Sequence, residues 1–201
     1  MTLLDLTMAL YAAGSLLLIF AGVAKLAFPR PAADLMGAVG FPARVWFARA
    51  AGAAELVLGV AALALGGPGP ALVAAGVYSL FALVSLLALN RGLSSCGCFG
   101  QLDSPPSGIH VIGNLFFAAV CVLAAGTGGS PMARVANAAD QPVGRVALVL
   151  AVCVLAGMVL VSFTAVPEWL QARSAGGRSP ETFRVEAAGL RQKSTGHGQP
   201  Q

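Results

Sequence analysis

The sequence predicts an all-α membrane protein: a bundle of about five transmembrane helices followed by a polar C-terminal tail. Three observations predict it. Hydrophobic residues make up 57% of the 201-residue chain and charged residues only 10%, against about 25% charged in ordinary soluble domains. The charges fall almost entirely between long apolar runs, and about 18 or more apolar residues in a row suffice to cross a bilayer core. Each run also ends at or beside Gly or Pro, the residues that stop helices.

The first segment covers 7–28 and is closed by Pro29-Arg30-Pro31. No Lys or Arg precedes its apolar run, so it lacks the charged start of a secretory signal and is expected to stay in the membrane as a helix. The second segment, 45–65, ends at GGPGP, and the third, 71–89, ends at Asn90-Arg91-Gly92. The link between these two is so short that they must form an antiparallel hairpin. The fourth, 109–125, ends at GTGGS, and the fifth, 144–166, stops before Pro167. No fixed-period repeat is visible. The domain boundary therefore falls between a helical membrane domain, 1–166, and a polar tail, 167–201. In that tail 180–193 suits one short helix, and the closing STGHGQPQ is expected to be disordered.

Charge placement gives an orientation. With the N-terminus outside, the inner segments hold Lys25, Arg30, Arg44, Arg49, Arg91 and the five basic residues of the tail, while the outer ones hold Arg134 and Arg145. This is a strong positive-inside bias. It makes the net charge of +4 a property of topology and leaves no call for a nucleic-acid partner, while the polar tail reads as solvated with some attraction to anionic lipid of the bilayer. The reading is a multi-pass protein of the cell membrane with its C-terminus in the cytoplasm. The chain carries no dinucleotide fingerprint, P-loop or HExxH motif, so no cofactor is expected.

The chemistry concentrates in SSCGCFG, residues 94–100, where Cys96 and Cys98 flank Gly97. Cα atoms two residues apart lie about 5.5 Å from each other in a turn and about 7 Å when extended, whereas a disulfide needs about 4.4–6.8 Å. A disulfide here requires a bend, and glycine permits one. The small ring would be strained and prone to exchange, which suits a redox relay. Two other readings stand beside it. Cys96, Cys98 and His110, with Asp103, could ligate a metal, although zinc sites usually show two clear ligand pairs. Alternatively the thiols are small side chains in a tight turn with no chemistry. Ser94, Ser95 and Gly100 leave the backbone accessible to another protein's thiol, Phe99 offers an apolar surface, and Pro105-Pro106 stiffens the return to the fourth segment.

Two further cysteines, Cys121 and Cys153, fall within the fourth and fifth segments near the membrane midplane. They are candidates for a second redox pair or, more simply, apolar packing residues. Glu55 lies mid-segment in AGAAELVLG, where an ionised carboxylate costs several kcal/mol unless paired or protonated. Lys25, in GVAKL near the end of the first segment, is the candidate partner. The pair reads as a polar anchor between two helices or as a proton-handling group near a thiol.

Taken in order, GVAKL at 22–26, RAAGAAELVLG at 49–59 and CGCFG at 96–100 before another membrane segment resemble the methylamine-utilisation MauE family, itself similar to DoxX-like membrane proteins. The resemblance covers roughly residues 7–126, and CGCFG is its most specific element. It implies a four-helix core with an added fifth helix. It further implies a thiol–disulfide oxidoreductase or accessory factor that helps mature the disulfide-rich small subunit of methylamine dehydrogenase, or another exported protein, with a thioredoxin-like partner. Cys96 and Cys98 would carry that exchange. Relatives are expected to have Arg before the Asn that opens the fourth helix; here the residues are Gly113-Asn114, and His110 could stand in. A non-catalytic membrane scaffold, and a small transporter or quinone-linked oxidoreductase, are the competing readings.

Overall fold

The computed structural model describes residues 3–93, 97, 105–137, 146, 149–150 and 152–162, and among them there is no strand. The helices are α1 (Leu3–Ala27), α2 (Arg30–Ala38), α3 (Val45–Ala64), α4 (Pro68–Asn90), α5 (Gly108–Ala125), α6 (Pro131–Asn137) and α7 (Val152–Ser162). Four of them, α1, α3, α4 and α5, are long and apolar enough to cross a membrane. The chain is an all-α, multi-pass membrane protein. Of the fifth expected span, 144–166, residues 152–162 form α7, which is apolar but shorter than a span. The tail, a separate unit from Glu168 to Gln201, lies outside the described residues.

Three helices depart from the sequence-based expectation, and proline stands at or beside the start of each; α6, which the sequence did not announce, begins at Pro131. Pro29-Arg30-Pro31 reads as a terminator, yet it also starts α2, with a proline in the first two positions of the helix. GGPGP reads as a loop, yet α4 begins inside it at Pro68. The first N–H groups of a helix have no partner within it, so proline costs nothing there, and its φ already matches the helix. Gly67, at φ +79, makes the sharp turn before Pro68.

The long helices run alternately up and down. α1 packs mainly on α3 and α4 on α5, with α1 joining the two pairs through α5. The buried face of α3 is Ala48, Gly52, Glu55, Gly59 and Ala62, spaced alternately by four and three residues, as in the seam of a left-handed coiled coil. Its glycines let backbones touch. A Cβ on Gly22 would come within 2.6 Å of the Gly52 carbonyl oxygen, and one on Gly59 within 2.7 Å of the Ser15 carbonyl oxygen. Such close approach is what small residues supply between membrane helices. In the main core Tyr11, Leu18, Tyr78, Phe117 and Cys121 pack together.

The two ends of the bundle differ. At one end α6 is strapped to the start of α1 by an ion pair between Arg134 and Asp5 at 3.2 Å. At the other, α2 lies against the start of α3, where Ala32 and Ala33 meet Ala48. The Arg91 guanidinium after α4 donates to the Ala38 carbonyl at the end of α2.

Candidate functional site

Contacts between helices fix their relative heights and bring several polar groups to one layer near the α2 end. The Tyr78 hydroxyl donates to the Gly14 carbonyl at 2.6 Å, and the Tyr78 and Phe117 rings stack with centroids 5.4 Å apart. Seven residues from each of these positions toward the α2 end, about two helical turns or roughly 10 Å, stand Ala21, Ser85 and His110. Ala21 packs with Ile109, which confirms the register. Gly52 faces Gly22 and Lys25, and Gly59 faces Ser15 and Ile19, so Glu55 falls between those heights, at the same layer.

Lys25 Nζ meets Glu55 Oε2 at 2.8 Å, with both side chains buried. The sequence names these two as possible partners, and the structure brings them together. Side chains on a helix tilt toward its N-terminus, so Lys25 reaches back into the bundle. Its ammonium sits 5.2 Å from the centroid of the Phe81 ring, adding a cation–π contact. One cation thus ties α1, α3 and α4 together. Glu55 is the only large side chain on the buried face of α3; the glycines around it make the room it occupies.

His110 is 1% exposed and stands in the first turn of α5. Ser107, the residue before that helix, places its hydroxyl oxygen 2.9 Å from His110 Nδ1, while the His110 N–H donates to the Ser107 carbonyl. Ser85 and Asn114 are buried as well. His110, Asn114, Phe117 and Cys121 are spaced by four, three and four residues and share the buried face of α5. That spacing of polar residues in an apolar segment is the sequence signal for the layer. Ser85 carries no such signal, because an isolated serine in a membrane segment reads equally well as helix packing.

Cys96 and Cys98 lie outside the described residues, as does Asp103, so of the four metal-ligand candidates only His110 can be placed. Among the described residues no group of three or more His, Cys, Asp or Glu could hold a metal ion. Gly97, between the two cysteines in sequence, is described. It is buried with φ +65, a left-handed conformation that glycine adopts freely and other residues avoid. It also has no room for a side chain. A Cβ there would come 2.8 Å from Leu35 Cδ2, 3.0 Å from Leu35 Cβ and 3.2 Å from Ala32 Cα. The centre of the Cys-Gly-Cys segment is therefore seated on α2, a helix the sequence did not announce.

The remaining cysteines are apart in environment. Cys121 is buried and Cys153 exposed, and both are free thiols. Cys121 packs in the core with Tyr11, whose buried hydroxyl has no hydrogen-bond partner among the described residues.

The model of a protein family described as methylamine utilisation protein MauE matches residues 2–127, more than half of the chain. The match takes in α1 to α5, hence all four long helices and the polar layer, and ends before α6. No curated protein and no solved structure matches the chain.

Proposed function

The chain belongs to the MauE family and is a membrane protein associated with methylamine utilisation; from that premise we propose that it is a thiol–disulfide relay or maturation factor. Cys96 and Cys98 exchange with a thioredoxin-like partner, and the client is an exported disulfide-containing protein such as the small subunit of methylamine dehydrogenase. The observation that carries this reading is the seat of Gly97 on α2. A thiol pair that must be met repeatedly by another protein needs a defined place on the bundle, and a buried, left-handed glycine between the two cysteines supports that reading. The layer of Lys25, Glu55, Ser85 and His110 stiffens the same end.

The exchange balances simply. A thiolate of the reduced partner attacks one sulfur of the Cys96–Cys98 disulfide, forming a mixed disulfide and releasing the other sulfur as thiolate. The partner's second thiolate then attacks the mixed disulfide. The partner leaves as a disulfide, and the pair keeps two electrons and takes up two protons as its thiols form. The reverse direction uses the same steps.

Trapping tests it. In Cys98→Ala protein, Cys96 should hold a mixed disulfide with a thioredoxin-like protein, or Cys96→Ala protein should do so through Cys98. If neither variant captures a partner and the double variant supports maturation as the wild type does, the protein is a non-catalytic scaffold.

A further inference from the structure

The α2 end of the bundle carries a collar of charge and aromatic surface outside the polar layer. Arg30, Arg44, Arg49 and Arg91 are all exposed there, and among the described residues the only exposed carboxylate at that end is Asp34. Beside the arginines, in the link from α2 to α3 and the first turn of α3, Phe41 is 65% and Trp46 56% exposed, with Phe47 also outside the core. The Trp46 and Phe47 rings stack at 3.7 Å and so present one apolar face. The opposite end differs: its described basic residue, Arg134, is already paired with Asp5.

We propose that this elbow between α2 and α3 is a docking surface for anionic phospholipid headgroups. Arg30, Arg44 and Arg49 engage the headgroup phosphates, and Phe41, Trp46 and Phe47 enter the interface beside them. Aromatic rings at the start of a membrane-spanning helix stand at headgroup depth, where amphipathic rings are favoured, and basic side chains at that depth attract anionic lipid. A soluble acidic partner would match the arginines but would leave three large rings at the level of the bilayer surface. The elbow is firmly attached, because α2 is held by Ala48 and by Arg91 on the Ala38 carbonyl. The same helix seats Gly97. The proposal stands independently of any thiol chemistry.

Lipid selectivity at Trp46 tests it. Full-length Trp169→Phe protein, with Trp46 as its single tryptophan, is reconstituted in mixtures of brominated phosphatidylcholine with unbrominated phosphatidylglycerol or phosphatidylcholine. Relief of bromine quenching gives the binding constant of the anionic lipid relative to phosphatidylcholine. The expected ratio is several-fold above one. It should fall with each arginine removed, in steps that together make up the wild-type preference and each of which stays below the about fivefold that a full 1 kcal/mol per basic residue near an anionic surface would give. It should approach one in Arg30→Gln/Arg44→Gln/Arg49→Gln protein and persist in the corresponding triple lysine variant. A reporter at the other end (Met132→Trp with Trp46→Phe and Trp169→Phe) should give a ratio near one. Loss of folding is visible separately, since an uninserted tryptophan is not quenched by brominated phosphatidylcholine. A wild-type ratio of one, an undiminished ratio in the glutamine variant, or equal preference at both ends would overturn the proposal. Protection of Trp46 by polyglutamate but not by phosphatidylglycerol would overturn it in favour of an acidic soluble partner.

Discussion

At the scale of single residues, the bundle depends on two that are buried against expectation. Glu55 is a carboxylate inside a membrane helix, and it is tolerable because Lys25 meets it at 2.8 Å. Removing one member of a buried pair strands the other and typically costs about 3–5 kcal/mol, whereas replacing both with apolar groups is often neutral. Glu55→Gln keeps an acceptor for the Lys25 ammonium and should be better tolerated than Glu55→Lys, which sets two cations together. Lys25→Met/Glu55→Met should recover most of what either single change loses. Thermal midpoints of the purified variants in lipid measure this; equal midpoints for Glu55→Gln and Glu55→Lys would remove the pair as an anchor. Gly97 is the second case. Gly97→Ala must accept both φ +65 and a clash with Leu35 and Ala32. Backbone strain of that kind costs about 1–3 kcal/mol. Leu35→Ala relieves the side-chain clash but not the φ, so Gly97→Ala/Leu35→Ala should restore only part of the loss. The rates at which Cys96 and Cys98 react with a maleimide report it: faster in Gly97→Ala, intermediate in the double variant. Unchanged rates would mean that the seat on α2 does not govern the thiols.

At the scale of helices, the pairing of α1 with α3 rests on backbone contact, while large side chains fill the main core. Gly22, Gly52 and Gly59 sit where any Cβ would strike backbone atoms of the facing helix, whereas Gly76, on α4, has open space around its Cβ position. Gly52→Ala should therefore lower the thermal midpoint, by the cost of forcing two packed helices apart. Gly76→Ala should leave it unchanged or raise it, since alanine is the better helix former by about 1 kcal/mol. Equal shifts for the two would refute the close α1–α3 contact. This contrast marks how far the sequence could be read. The spanning helices were legible because apolar length alone defines them, and Glu55 stood out because a charge in such a run is expensive. Lys25 was legible as its partner because few cations lie within reach. α2 was not legible: its nine residues include three alanines and a glycine, Pro29 and Pro31 flank Arg30 at its beginning, and a start and a stop look alike there. Nor could any local pattern show that Gly97 rests on Leu35, sixty-two residues earlier, because that contact exists only once α2 has folded back on the bundle.

At the scale of the whole molecule, the core itself now carries the argument for sidedness. Read from sequence alone, the charge bias drew half its weight from the tail and so depended on whether a fifth helix crosses the membrane. In the structure the α2 end holds Lys25, Arg30, Arg44, Arg49 and Arg91, and the other end of the same four-helix core holds Arg134, neutralised by Asp5. The bias is thus present within α1 to α6, whatever α7 does. Turning the core over would bring four exposed arginines across the bilayer, against the rule that such residues stay in the cytoplasm. The expected orientation therefore places Gly97, and the Cys-Gly-Cys segment around it, on the cytoplasmic side. Stable disulfides are rare there because thiols are kept reduced, so the pair should draw on a cytoplasmic thioredoxin-like donor, or reach an exported client by outward movement at the membrane edge. An impermeant maleimide on intact spheroplasts decides it, using Cys121→Ala/Cys153→Ala protein with its two remaining thiols reduced beforehand. Cys96 and Cys98 should stay unlabelled until the membrane is permeabilised. Rapid labelling from outside would invert the orientation, put the thiols in reach of exported clients directly, and require the arginine collar to face the outer leaflet.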